Sequence, residues 1–132
     1  MTIKEVSERY NISADTLRYY ERVGAIPPVT RSSSGIRSYS ESDLGWVELA
    51  ICMRSAGLPI EALSEYVKLF QQGESTVLER LELLKKQREE LYNQKSRINE
   101  TIDRLNYKIS KYEEALNSSE AEWFVSSPFN KQ

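Results

Sequence analysis

Arginine and tyrosine side chains are concentrated on one face of the segment 14–22. Asp15, Arg18, Tyr19 and Arg22 are spaced i, i+3, i+4 and i+7, which places them on one side of a helix. Such a face can donate hydrogen bonds to phosphates and to base edges, so it is a candidate nucleic-acid contact. The alternative is an ordinary solvated surface, because short amphipathic helices with exposed arginines are common.

A second short helix is predicted just before this segment. Thr2 and Glu5 have the spacing of a capping box, which predicts a helix over residues 3–10. Ser13 is a candidate N-cap for the helix over 14–22. Two short helices joined by a tight turn, the second with an exposed Arg/Tyr face, predict a helix-turn-helix whose recognition helix is the second one.

The stretch 29–39 is the next candidate element. Residues that tolerate β structure flank a Ser- and Gly-rich centre, which predicts a small β-hairpin, and no acid occurs between Arg22 and Glu41. A hairpin with Ser, Gly and Arg beside a recognition helix can act as a wing that holds phosphates, whereas the alternative is a polar loop. The candidate DNA contacts are Thr16, Arg18 and Tyr19 on the helix and Arg31, Arg37 and Tyr39 on the wing.

Cys52 is the candidate reactive side chain. Ser40 with Asp43 is predicted to cap a third helix that runs to about Ser55, and this helix places the thiol at the margin of the buried face. Arg54 and the amino end of the helix after the bend at 54–59 both favour thiolate over thiol. The alternative is an inert thiol that acts as a small hydrophobic side chain.

The longest predicted element runs from Thr76 to Leu116, where no Gly or Pro occurs. Apolar residues recur at alternating steps of four and three between charged and amide residues, which predicts a coiled-coil helix roughly 60 Å long. Thr76 and Glu79 have the spacing of a capping box at its start. The residues expected at a dimer interface are Leu84, Leu91, Ile98, Ile102, Leu105 and Ile109.

Two charged residues in this apolar repeat bear on strand direction. In a parallel homodimer Arg88 and Lys95 would each face their own copy, whereas an antiparallel pair can bring them toward glutamates of the other chain. We therefore expect an antiparallel coiled-coil homodimer. The alternative, a helix folded back onto its own domain, is disfavoured because the roughly 75 residues before it must fill a core of their own.

Length and composition limit the other possibilities. The chain has 132 residues with 39% hydrophobic and 29% charged, which predicts one small domain and the helix: a head at 1–73, a dimerisation helix at 74–116 and a short tail at 117–132. This length leaves no room for a separate ligand-binding domain. Acidic and basic residues are equal in number within residues 1–58, so net charge gives no support to nucleic-acid binding. That prediction must rest on the local arrangement of charged side chains.

The absence of histidine and the single cysteine exclude several classes of site. An internal disulfide, a Cys/His zinc site and a His-dependent nucleophile are all ruled out, so we expect no catalytic residues, metal or cofactor. The first residues do not resemble a signal peptide, and no apolar run approaches the about 18 residues needed to cross a membrane. We expect a cytoplasmic protein without membrane contact.

Three motifs resemble, in order, those of the MerR family of bacterial transcription regulators: TLRYYERVGAI at 16–26, GIRSY at 35–39 and MRSAGL at 53–58. The resemblance extends over residues 1 to about 116. It implies a mainly α fold, with a winged helix-turn-helix head and an antiparallel coiled-coil homodimer. It also implies a pseudo-palindromic site in double-stranded promoter DNA, which is bent and untwisted so that RNA polymerase can engage both promoter elements.

The chain is further similar to the aldehyde- and electrophile-responsive subgroup, whose members carry a lone cysteine at the position of Cys52. The similarity lies in YYERVG at 19–24, in ICMRSAGLP at 51–59 and in the short C-terminus. The metal-sensing branch uses cysteines near the end of the long helix, and this chain has none there. The resemblance implies an electrophile sensor. The alternatives are a small-molecule effector between head and coil, and a helical module that binds protein instead of DNA.

Overall fold

The structure is a computed structural model that describes residues 1–118, and the described chain is mainly α-helical as predicted. Most of the predicted tail, residues 119–132, lies outside the described part. The described residues form five α-helices and a short 3-10 turn at Glu74–Thr76. The helices are α1 (Ile3–Tyr10), α2 (Ala14–Arg22), α3 (Glu41–Ser55), α4 (Ile60–Gln71) and α5 (Val77–Leu116).

The predicted starts of α1 and α3 are confirmed by their caps. The Thr2 hydroxyl accepts the Glu5 backbone N–H at 3.2 Å, and the Glu5 carboxylate accepts the Thr2 N–H at 2.9 Å. Ser40 and Asp43 make the same reciprocal pair at the start of α3. At the end of α1, Asn11 adopts a left-handed conformation with φ of 52°, which turns the chain into α2.

The core of the head, residues 1–73, draws on each of its four helices. The largest fully buried side chains are Val6, Leu17, Ile26, Val47 and Leu63. Burying a side chain of this size contributes roughly 1.5–3 kcal/mol. Because α2 commits Leu17 to this core, its opposite face is held toward solvent.

The predicted hairpin is present in a minimal form. Within the described residues, its strand pairing is a single antiparallel bridge between Arg31 and Arg37. The Ser32 N–H donates to the Ile36 carbonyl at 2.8 Å, and Gly35 at the tip has a φ of +81° that a side chain would strain. The wing, residues 29–39, is therefore a closed loop with one bridge.

The start of α5 differs from its prediction. The Thr76 hydroxyl donates to the carbonyl of Leu69 in α4 and to that of Gly73 just after this helix, and it accepts from Arg80 Nε at 3.2 Å. Thr76 is therefore buried and joins two helices, and the expected capping box with Glu79 is not the interaction that the structure shows. A tertiary contact replaces the capping box, because carbonyls at the end of α4 that lack helical partners compete for the Thr76 hydroxyl.

The apolar repeat of α5 is exposed in the single chain. We call its apolar positions the seam; Leu91 is half-buried, and the exposed members are Val77, Leu81, Leu84, Ile98, Ile102, Leu105, Ile109, Tyr112 and Leu116. Residues Met1–Arg88 form one compact unit, and Glu89 begins a second. The division at 73/74 stays a prediction. None of the helices within residues 1–118 has the length and apolar character needed to span a bilayer.

Candidate nucleic-acid interface

The outward face of α2 carries the predicted recognition side chains. Asp15, Arg18, Tyr19 and Arg22 are all exposed, and we call Arg18, Tyr19 and Arg22 the arginine face. Arg18 Nη1 lies 2.9 Å from Asp15 Oδ1, and the two side chains are 46% and 96% exposed. An exposed pair of this kind is worth about 0–1 kcal/mol, so a phosphate can replace Asp15 at little cost.

Neighbouring groups fix two other side chains of α2. The Arg22 guanidinium lies 5.2 Å from the centre of the Tyr19 ring, a cation–π distance that braces the ring on the surface. Thr16 is half-buried, with its hydroxyl 2.7 Å from the Ser13 hydroxyl and its N–H bonded to the same oxygen. Thr16 therefore belongs to the N-terminal cap of α2, next to the arginine face.

The wing is braced from within. Arg31 Nη1 donates to the Gly35 carbonyl at 2.9 Å, and the hydroxyls of Ser32 and Ser34 lie 3.0 Å apart. Arg31 is exposed, and Ile36 near the tip is 65% exposed. The wing therefore presents Arg31, several hydroxyls and the apolar side chain of Ile36 to solvent.

Arg37 lies at the base of the wing and is paired inside the protein. Its Nε donates to Glu21 Oε1 at 2.7 Å, and the two side chains are only 25% and 13% exposed. Sequence reasoning placed Arg37 among the phosphate contacts. The structure instead joins it to the last turn of α2.

Tyr39 is a correction to the predicted site. Its side chain is 3% exposed, and its hydroxyl is buried without a hydrogen-bond partner in residues 1–118. Burial raises the pKa of this hydroxyl above the ordinary tyrosine value. The Tyr39 N–H donates to the Met1 carbonyl at 2.7 Å. The segment that leaves the wing thus directs the Tyr39 side chain into the core instead of onto the surface of the wing.

Two carboxylates that sequence reasoning left out of the site connect its parts. Glu21 accepts the Val29 N–H at 2.9 Å, and Asp43 accepts the Thr30 N–H at 3.1 Å. Asp43 was predicted only as a helix cap. A signal for Glu21 was present in the sequence, since it is the last acid before the acid-free stretch that contains the wing.

Cys52 is exposed on α3. The Ser55 hydroxyl donates to the Cys52 carbonyl at 2.8 Å, while Arg54 Nη1 donates to the Leu58 carbonyl at 2.6 Å. Arg54 therefore closes the turn after α3, which is a different task from the thiolate stabilisation that the sequence suggested. Residues 1–118 contain no cluster of three acidic or cysteine side chains able to hold a metal ion.

A helix-turn-helix with a wing and a long following helix defines a class of regulatory proteins. The model of the MerR HTH family of regulatory proteins matches residues 1–69, and this chain belongs to that family. The HTH-type transcriptional regulator AdhR of Bacillus subtilis (strain 168) is 53% identical over 91 residues. That match covers 69% of this chain and only 65% of AdhR.

Solved structures share the fold over most of the chain. A MerR family transcriptional regulator from Listeria monocytogenes is 49% identical with a TM-score of 0.86, and the match covers 93% of both chains. HiNmlR, a MerR family regulator lacking the sensor domain, was solved bound to promoter DNA. It is 30% identical with a TM-score of 0.79, covering 89% of this chain and 94% of HiNmlR.

Proposed function

We propose that this chain is a cytoplasmic transcription regulator that binds a pseudo-palindromic element in promoter DNA as a homodimer. The observation that carries the proposal is the exposed arginine face of α2, joined to an exposed wing through Glu21. The complex of HiNmlR with promoter DNA supports the same partner for this chain. Family membership supports a regulatory role in place of an enzymatic one.

The two elements divide the work of recognition. Arg18 and Tyr19 reach the groove and the backbone from α2, with Thr16 beside them, and Arg31 holds a phosphate from the wing. Arg37 already forms an ion pair with Glu21, and Tyr39 is buried. Their surroundings therefore favour a role in supporting the wing over direct contact with DNA.

Deformation of the DNA is the proposed output. Two heads held at a spacing set by their long helices bend and untwist the promoter, which lets RNA polymerase engage both promoter elements. Bending and untwisting a duplex costs free energy that depends on its sequence, so such a regulator reads its site partly through deformability.

Quantitative DNA binding tests this proposal. We expect Arg18→Gln to weaken binding to a duplex selected from random-sequence DNA by roughly 1–3 kcal/mol, because a base-reading arginine contributes that much. Arg31→Gln should weaken binding to all sequences alike and lower the salt slope by roughly 0.9, the value for one phosphate contact. Fluorescence anisotropy at several salt concentrations measures both quantities.

Arg97→Gln is the matched control, because it removes the same charge from α5 at a position outside the seam. Its affinity should stay close to that of the wild type. If both Arg18→Gln and Arg31→Gln bind DNA with wild-type affinity, the proposed recognition surface is wrong. A wild-type protein that selects no DNA at all would favour a protein-binding module.

The seam supports a second copy of the chain as the partner of α5. Ile98, Ile102 and Ile109 are 59%, 46% and 53% exposed, and a continuous apolar strip of this kind is stable in water only when it is covered. Arg88 and Lys95 favour the antiparallel arrangement, since it removes the contact of each charge with its own copy.

We propose Cys52 as the sensor thiol, in line with the subgroup that the sequence resembles. Its exposure on α3 gives a small electrophile access to the sulfur. When the thiolate adds to an aldehyde, a carbon–sulfur bond forms and the carbonyl oxygen takes a proton from water. The added group changes what can pack against α3 and shifts the heads, so transcription changes more than affinity.

Promoter output with and without formaldehyde or methylglyoxal tests the sensor. We expect Cys52→Ser and Cys52→Ala to keep basal output and to lose the response, because neither side chain adds to an aldehyde as a thiolate does. An undiminished response in both variants would move the sensor away from Cys52 and favour a small-molecule effector.

A further inference from the structure

Glu21 divides its two carboxylate oxygens between the two ends of the wing. Oε2 accepts the backbone N–H of Val29, where the chain enters the wing, at 2.9 Å. Oε1 accepts Nε of Arg37, where the chain leaves it, at 2.7 Å. Since Glu21 lies in the last turn of α2, one side chain holds both ends of the wing against the recognition helix.

Asp43 supports the same place from the other side. Its Oδ2 accepts the backbone N–H of Thr30 at 3.1 Å and that of Ser40 at 2.9 Å. The consecutive N–H groups of Val29 and Thr30 are thus held by carboxylates from two different helices. We call Glu21, Arg37 and Asp43 the clasp.

The clasp is partly withdrawn from water, which strengthens its bonds. Burial alone would raise the pKa of Glu21, but the Arg37 guanidinium and the Val29 N–H outweigh it, and the pKa is lowered. Burial alone would also raise the pKa of Asp43, but the hydrogen bonds donated by Ser40 and Thr30 outweigh it, and this pKa is lowered as well. Both carboxylates are therefore held charged by the groups that they join.

We propose that Glu21 is a positioning residue that sets the wing relative to the recognition helix, and that Arg37 serves this clasp instead of a DNA phosphate. The DNA-binding part of the inference rests on the proposed function. Its structural part, the fixing of the wing by Glu21, holds for the free protein as well.

The two roles of Arg37 predict opposite results for Glu21→Gln. If Glu21 only neutralised Arg37, its loss would free the guanidinium for a phosphate, so that affinity would rise and the salt slope would steepen by roughly 0.9. If Glu21 positions the wing, the same change loosens the wing. Affinity then falls while the number of phosphate contacts stays the same.

The experiment is a double-mutant cycle with Glu21→Gln, Arg37→Gln and the double variant. Affinity for the selected duplex is measured over a range of salt concentrations. We expect each single change to weaken binding about tenfold, as for one lost charge-assisted hydrogen bond, with the salt slope unchanged. The double variant should be no weaker than either single variant, because both changes break the same clasp. Additive losses, or tighter binding by Glu21→Gln, would overturn the inference.

Amide hydrogen exchange of the free protein tests the clasp without DNA. Glu21→Gln should speed exchange at the Val29 amide about tenfold and loosen the wing amides, because a neutral acceptor binds the N–H less strongly. Glu41→Gln is the matched control, since it removes an exposed carboxylate from the same head. Equal protection in Glu21→Gln and the control overturns the inference even where DNA binding is normal. If the wild type binds no DNA but exchange responds as expected, the proposed function fails and the clasp stands.

Discussion

The head and the long helix α5 differ in how far a single chain buries their apolar side chains. In the head, Leu17, Val47 and Leu63 are at most 1% exposed within a single chain. Along α5 the seam stays in water, with Ile98 59% exposed and Ile109 53% exposed. The head therefore completes its own core, whereas α5 leaves its seam exposed in the single chain, which is the surface that the proposed dimer would cover.

The polar groups follow the same division. In the head, carboxylates bond to backbone N–H groups far along the chain, as Glu21 does with Val29. On α5 the ion pair within the described residues is local, between Lys111 and Glu114 at 3.4 Å, one turn apart. Polar contacts between different elements favour a single tertiary structure for the head. A pair within one helix stabilises that helix but does not specify what packs against it.

The largest effect should come from charging the seam. We expect Ile98→Asp combined with Ile102→Asp to abolish dimerisation, because two carboxylates per chain would lose their hydration on burial without partners. Sedimentation at micromolar protein concentration should then show monomers with folded heads.

The control for this change is Asn93→Asp combined with Ser96→Asp. It adds the same charge to exposed positions of α5 outside the seam and should leave the dimer intact. A wild-type chain that sediments as a monomer would break the comparison, since α5 would then be stable with its seam exposed.

The second effect concerns the core of the head. Leu17→Ala should lower the free energy of unfolding by about 2–5 kcal/mol, because it leaves a cavity beneath the recognition helix. Ile36→Ala, which truncates an exposed apolar side chain on the wing, should change it by only about 0.5 kcal/mol. Urea denaturation at one fixed protein concentration measures both, because the proposed dimerisation would couple stability to concentration. Similar losses in the two variants would contradict the assignment of the core.

The parts of the fold that depend on neighbouring residues were predictable from the sequence. The caps at Thr2, Ser13 and Ser40 are short-range patterns, and the structure confirms all three. The long helix followed from its repeat, and its observed end at Leu116 matches. Such signals succeed because the interacting groups lie within four residues of each other.

The sequence did not reveal contacts between residues that are distant from each other in the chain. Thr76 was predicted to cap its own helix, but its hydroxyl serves the carbonyl of Leu69 in the preceding one. Tyr39 is predicted to hold a phosphate from the wing, whereas the structure buries its side chain in the core. Arg37 is predicted to hold a phosphate, and nothing in the local pattern shows that it pairs with Glu21, 16 residues earlier.

The smallest effect should be seen in acid, and it tests whether the polar contacts of the head matter to its stability. The folded-state pKa values of Glu21 and Asp43 are lowered, so they lie below the unfolded values of about 4. The stability that these groups add is therefore fully present above pH 4 and is lost as the pH falls through the folded pKa values. We expect the free energy of unfolding to fall as the pH drops below about 4 for this reason.

Asp43→Asn isolates one of these two groups. The amide can still accept a hydrogen bond but carries no charge, so we expect a loss of roughly 1 kcal/mol at pH 7 that shrinks as the wild-type carboxylate becomes protonated. Urea denaturation at steps from pH 7 to pH 2.5 measures the gap, with Glu41→Gln as the control for an exposed carboxylate on the same helix turn. The gap should close toward low pH because wild type and variant then carry the same charge at this position. Two curves that stay parallel down to the lowest pH would mean that the charge of Asp43 adds nothing to the free energy of unfolding. The head and α5 would then differ only in the packing of their apolar side chains.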